Sequence, residues 1–508
     1  MVFIDLNHDE SPYKIFESLN AKGKPLTQAD LVRNYIAMKL PLAAQQGVFD
    51  SHWSKIEEDL QEKRATGRAG LGELTAFLRH YLAMRLGTLI NEGHVYARFR
   101  DRMEKDFPND KDFIQELANL RRFAEHYDKF LRPDHETDPE IRQALSRLNI
   151  LETATAYPFL LRVYDAYHNA ELTPEQLKDI LAVLENYLLR RWITGEPTNY
   201  LNKMFPQVWG QIDLSDVETT IRNVLASRNY PSDRRVRQAV STNKMYDSRN
   251  LGKVRLILEG INRHLSSGTG AYTALDNSAT IEHILPQTIT LNWQTELGSD
   301  WNQSHKENLH LLGNLTIVTQ EWNGGMLSNY DFATKRRKLS EHGLLLNKIY
   351  FTDDVTRWDE AAIRVRADFL ADKLVEIWPA IGEAEPENVV SNNKPRVLKI
   401  CADQFSVKTW RDVTVKTVEY IIANHADFDT IAQSVPGLLS RDRFLSNHPL
   451  VNGWNINVRL SSERVIDYCQ KLFEAASFVR GDWAVTEFEM TKQTVNPNAT
   501  DPQLTLLT

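Results

Sequence analysis

The sequence predicts a mainly α-helical protein with α+β parts. Three observations carry that expectation. Apolar residues recur at three- and four-residue spacing from residue 51 to about residue 225. Residues 278–338 read as strand, long loop, hairpin and helix, and residues 396–490 mix helical and alternating patterns behind a linker poor in apolar residues. At 508 residues the chain is too long for one core and suggests several domains. Its 42% hydrophobic and 25% charged residues are ordinary for a globular protein. A net charge of −8 excludes a global basic signature, so any nucleic-acid contact must use local patches. Two cysteines, Cys401 and Cys469, exclude a disulfide framework and a Cys₄ zinc site, as suits a reducing cytoplasm. No apolar run approaches the ~20 residues that cross a bilayer, and no secretory signal opens the chain. A cytoplasmic protein without membrane contact is expected.

Taken in order, residues 2–6 read as a strand and residues 12–19 as a short helix, with Ser11 at its N-cap and Pro12 at its first position. Lys22-Gly23-Lys24 supplies a turn, and Thr27 caps a helix that continues over residues 30–40. Helices follow over residues 71–86, 113–131, 141–151, 154–167 and 174–193. The last has Thr173 as its cap, Pro174 at its first position and Gly195 just past its end. No fixed-period repeat is present, so this is one irregular helical domain in which Tyr157, Phe159, Tyr164 and Tyr187 are core residues. Residues 228–264 hold nine Lys or Arg against three acids. Such an excess suits phosphate contacts, with Arg234, Arg235, Arg237, Lys253 and Arg255 as the candidates; the competing reading is a solvated helix face.

Residues 279–285 alternate apolar residues with Thr280, Glu282 and His283, and Pro286 ends that strand because it has no N–H to donate. The apolar run 309–318 is broken by Gly313-Asn314, a dipeptide suited to a turn between two strands. After Asn323-Gly324-Gly325, residues 329–339 have helical composition and a basic face in Lys335, Arg336, Arg337 and Lys338. The three Arg/Lys residues 336–338 would extend the phosphate track. These residue types suit phosphodiester hydrolysis. A neutral imidazole can take the proton of an attacking water, and carboxylate and amide oxygens suit Mg²⁺ or Mn²⁺. His283 is the candidate base, with Glu282 and Asn323 as candidate metal ligands. Neighbours on a strand point to opposite faces, so Glu282 and His283 would share a site only at an irregular strand end. His305, His310 and His342 read as structural or surface residues.

The runs I-E-H-I-L-P-Q, L-G-N-L-T-I-V and W-N-G-G-M-L-S-N, followed by K-R-R-K, resemble the HNH (ββα-metal) nuclease motif. More closely they resemble the C-terminal nuclease of GmrSD-type, modification-dependent (Type IV) restriction endonucleases. The resemblance implies His283 as general base, Glu282 and Asn323 as ligands of one divalent ion, and Asn314 as the asparagine that braces the loop holding the base. Asn329 and Lys335 match positions common in that subfamily. Residues 16–36 resemble the end of the family's N-terminal domain, itself similar to ParB-type nucleotide-binding nucleases. The D-G-Q-Q-R motif of that domain is absent from these 508 residues. Nucleotide dependence therefore does not follow from the resemblance, and a separate nucleotide-binding subunit is a candidate partner.

The domain organisation so read is a remnant of the ParB-like domain (1–45), a helical spacer (46–226) and the nuclease with its basic lead-in (227–380). A linker (381–395), a small α+β module (396–490) and a disordered tail (491–508) complete it. The module has a helix over 410–424, a strand over 454–460, a helix capped by Ser462 and running to residue 473, and a last strand over 483–488. The expected activity is metal-dependent cleavage of double-stranded DNA, in restriction of foreign, modified-base DNA. RNA presents the same phosphates to the same chemistry. Two other readings stand beside it: a nucleic-acid-binding regulator with a non-cutting nuclease fold, and a structural subunit of a defence complex.

Overall fold

The computed structural model describes residues 26–60, 72–267, 279–382 and, with short breaks, 394–488. The elements expected at 2–6, 12–19 and 22–24, most of the linker and the tail lie outside these. Two compact units form: residues up to Ala384 except 227–229, and Glu385–Thr508 with 227–229.

In the first unit, α1 (Gln28–Lys39), α2 (Leu42–Val48) and α3 (Ser54–Asp59) precede the longer helices α4 (Glu73–Leu86), α5 (Val95–Asp106) and α6 (Asp110–Leu131). Then come α7 (Pro139–Ile150), α8 (Tyr157–His168), α9 (Pro174–Ile193), α10 (Leu201–Val208), α11 (Val217–Ala226), α12 (Asp233–Thr242) and α13 (Leu251–Ser266). Local chemistry fixes their starts. Thr27 and Thr173 each close a capping box, with Asp30 and Gln176 respectively, while Asp138 caps α7 and Pro139 occupies its first turn. α9 stops before Gly195, whose φ of +72° lies in the left-handed region. Tyr157, Phe159, Tyr164 and Tyr187 are buried, as core residues.

The helical segment and the segment that follows residue 230 share one core. It runs from Ala29 through α9 and α13 to Leu315, Ile317 and the face of α18 (Glu360–Ile377) carrying Ala367, Leu370 and Leu374. At the seam the Trp378 indole donates to Glu185 (3.0 Å), the Asn186 amide donates to the Pro379 carbonyl (2.7 Å), and Arg190 donates to the Trp378 carbonyl (3.1 Å). The boundary expected near residue 226 is therefore not a break in the packing.

The hairpin expected around Gly313-Asn314 is not formed. β1 (Ala279–His283) instead pairs antiparallel with β2 (Leu315–Thr319), from Ala279 opposite Thr319 to His283 opposite Leu315. Two short helices, α14 (Leu291–Leu297) and α15 (Trp301–Asn308), lie between the strands, and Leu312–Asn314 is a single tight helical turn. Gly313 serves packing, since a Cβ there would stand 2.2 Å from the Ile363 carbonyl oxygen of α18. After β2 comes a wide helical turn, Trp322–Leu327, then α16 (Phe332–Glu341), capped by Asp331, and α17 (Leu345–Lys348). Asn329 lies in the turn before α16 rather than on the helix.

The second unit is a small α+β fold with its own core. β3 (Lys394–Ile400) lies between β4 (Asp403–Ser406) and β8 (Trp483–Phe488), and β7 (Asn455–Asn457) lies between β5 (Leu439–Ser440) and β6 (Asn447–Pro449). α19 (Trp410–Asn424), α20 (Phe428–Ala432) and α21 (Ser462–Ala475) complete it. No helix among the described residues is long and apolar enough to cross a membrane.

Candidate active site

β1 pairs regularly through His283, so its pleat separates the residues that the sequence reading had joined. Thr280 and Glu282 share one face. There the Lys335 ammonium of α16, fully buried, lies 2.6 Å from Glu282 Oε1 and 2.7 Å from the His283 carbonyl oxygen. Asn323 reaches the same strand: its Nδ2 donates to Thr280 Oγ1 (2.8 Å) and to the Ile281 carbonyl (3.0 Å). Burial pushes the Glu282 carboxyl up against the opposing pull of Lys335, and burial pushes the Lys335 ammonium down.

On the other face, the His283 ring packs against the edge of Tyr246, with centroids 4.4 Å apart, and lies beside His310. Its pKa is lowered to about 3, first by burial and then by His310, Lys335 and His305. The ring is therefore neutral across the physiological range. Glu282 and His283 do not converge in this arrangement.

Asn314, fully buried, ties the chain just beyond the imidazole. Its Oδ1 accepts from the Leu285 N–H (2.7 Å) and from the Trp358 indole (3.0 Å), while its Nδ2 donates to the Leu285 (3.0 Å) and Leu309 (2.9 Å) carbonyls. This four-bond cross-link is the physical content of a bracing asparagine. A second brace comes from α18. Arg366, wholly buried, donates to the carbonyls of Gly313 and Leu315 on either side of Asn314 and lies over the rings of Tyr350 and Phe351. It has no carboxylate partner among the described residues, and burial lowers its pKa to about 10.

A hard divalent ion fits the donor chemistry of the Glu282 face. The Asn323 amide donates to β1 through its nitrogen, and the Glu282 carboxylate accepts from Lys335 and from the His283 backbone N–H. No group of three or more His, Cys, Asp or Glu side chains among those residues could form a cage. One carboxylate, one amide oxygen and waters are a common Mg²⁺ shell.

The expected phosphate track is largely neutralised. Arg235 pairs with Glu196, Arg237 with Asp372, Arg255 with Glu259, and the buried Lys253 with Glu152. Arg336 pairs with Asp353. Arg234 and Arg337 are exposed. Arg337 and Lys338 form no ion pair among the described residues, although Lys338 lies 4.9 Å over the Tyr330 ring. The basic lead-in works mainly inside the fold, because the acidic scaffold supplies partners that a linear reading cannot see.

Sequence reasoning missed Tyr246, Gln287, His310 and Arg366. His310 read as structural or surface because the run 309–312 looked like one strand of a hairpin; it stands instead in a loop facing His283. The available signal was its position four residues before Asn314. Tyr246 and Arg366 carried no signal, because their role is set by long-range packing. His342 is buried, with its ring 4.7 Å from that of Trp322 and its Nδ1 accepting from the Leu344 N–H.

The two-stranded pair, the braced loop and the following helix bring the candidate residues into one segment of the chain. Residues 230–373 match the family model described as the C-terminal domain of GmrSD restriction endonucleases. For this segment the resemblance read from the sequence is borne out: it is similar to a GmrSD-type restriction endonuclease, and a nuclease acting on DNA is its implied activity. No curated protein matches the chain.

Proposed function

We propose that this chain is an HNH-type, metal-dependent DNA endonuclease of the cytoplasm that cuts foreign DNA carrying modified bases. The supporting observation is the end of β1, where a neutral His283 is locked in place through the hydrogen bonds of Asn314. His283 takes the proton of the attacking water. Glu282 and Asn323 would hold Mg²⁺ or Mn²⁺, and a bound ion would supply positive charge to the scissile phosphate and leaving oxygen. Lys335 keeps the Glu282 side chain and the His283 backbone in register, and Arg337 and Lys338 offer charge to the phosphate backbone.

The direct test is plasmid cleavage with Mg²⁺ or Mn²⁺, comparing wild type with His283→Ala on unmodified DNA and on DNA carrying modified cytosines. Cleavage lost in the variant supports the reading, and normal cutting by His283→Ala would remove it. The Lys335–Glu282 ion pair favours one second reading, a non-cutting nucleic-acid-binding subunit. Metal-independent DNA binding without cleavage by the wild type would select that reading.

A further inference from the structure

His283 has two ring nitrogens, and each faces one neighbour. Nδ1 lies 3.3 Å from the amide nitrogen of Gln287, and Nε2 lies 3.4 Å from Nδ1 of His310. An amide nitrogen only donates, so His283 Nδ1 accepts. In a neutral ring the hydrogen then resides on Nε2 and points to His310, whose Nδ1 must accept it. The two contacts differ in exposure. Gln287 is exposed and can leave, which marks Nδ1 as the side open to water and phosphate.

His310 is held from two directions. Its carbonyl accepts from the Met245 (2.9 Å) and Tyr246 (3.4 Å) N–H groups, and its ring stacks on Tyr246 at 5.5 Å with an interplanar angle of 11°. Tyr246 thus touches both imidazoles, and a bridge between Lys244 and Leu311 fixes the same segment. Burial, Lys244 and His305 all lower the His310 pKa, which keeps its lone pair available.

We infer that His310 is a positioning residue: by accepting the Nε2 hydrogen of His283 it selects the tautomer whose Nδ1 is free to act as base. The inference rests on the nuclease reading of His283. In the step it serves, a water proton passes to Nδ1 as the water oxygen bonds to phosphorus. The bond from phosphorus to the leaving oxygen breaks, its electron pair stays on that oxygen, and solvent supplies its proton. The resulting imidazolium keeps its Nε2–H on His310, much as the third member of a catalytic triad orients its histidine.

The test uses the full chain labelled with ¹⁵N-histidine, together with His310→Leu and His310→Asn. Leucine removes the acceptor, whereas asparagine keeps an oxygen near the place of Nδ1. The ¹⁵N shifts of wild type should show His283 protonated on Nε2, and the leucine variant should lose that preference. In cleavage, His310→Leu should lower kcat by about 10–100-fold with KM little changed, and His310→Asn should recover most of it. A wild-type His283 protonated on Nδ1 would overturn the inference, as would equal losses in both variants or none in leucine. If the wild type does not cut, the nuclease reading fails while the tautomer measurement still decides the role of His310.

Discussion

Two histidines, one in the helical scaffold and one at the end of β1, have been driven to the same electrostatic state by different surroundings. His126 in α6 and His283 both have their pKa lowered to about 3, with burial as the leading cause. His126 is enclosed by the rings of Phe123, Tyr164 and His168, and its Nε2 has no hydrogen-bond partner among the described residues. His283 meets nitrogen atoms at both of its own, and the chain beyond it is cross-linked by Asn314. Desolvation alone thus does not set a candidate residue apart. What distinguishes the site is a set of partners from distant parts of the chain that leaves one lone pair facing an exposed side chain.

The largest expected effect separates the two rings by activity. His283→Ala should lower cleavage by about 10²–10⁴-fold, the usual contribution of a general base, whereas His126→Phe should cut as wild type. Rates on one plasmid substrate would check both, and a His126→Phe loss as deep as that of His283→Ala would break the distinction. Next, Asn314→Ala should destabilise the first unit by about 3 kcal/mol, since it strands buried carbonyl and N–H groups. Urea denaturation would measure that.

Acid should then treat the two rings alike. Each is neutral when folded and, once unfolded, titrates near the ordinary 6.5. The stability each contributes is complete above that pH and is lost as pH falls from 6.5 towards 3, because the unfolded chain binds the proton first. His126→Phe should flatten the fall by at most about 1.4 kcal/mol per pH unit within that window, read from urea midpoints against pH. The smallest expected effect concerns surface charge. Arg337→Glu with Lys338→Glu should weaken DNA binding across all sequences and reduce the salt slope by roughly one or two. Reversal of Arg235 or Arg237, which already have acidic partners, should show in thermal stability instead. Binding titrations at several salt concentrations and melting curves would separate the pairs.

The sequence made the scaffold legible where local rules decide. Thr173, Pro174 and Gly195 bounded α9 because capping and a left-handed terminus are written in adjacent residues. Local rules failed at Gly313-Asn314. A glycine needed for close approach to α18 looks the same as one needed for a turn, so a hairpin was expected where a helical turn precedes β2. At the site, alternation along β1 correctly warned that Glu282 and His283 face apart. The motif resemblance supplied Asn314, whose four hydrogen bonds give that position its purpose. It could not supply His310, Tyr246 or Arg366, nor foresee that Arg235, Arg237, Lys253 and Arg255 would find carboxylates on other helices.

The core shared by α9, α13 and α18 has a practical corollary. Excising residues 227–380 would strip apolar surface from α13 and α18, and it would leave Glu185, Asn186 and Arg190 behind without the groups they hold. The segment matched by the family model is therefore not a cassette that can be lifted out or exchanged at the edge of its motif. A recombinant fragment or a chimera should keep its junction upstream of α9 so that the helix supporting the Gly313 turn retains its footing.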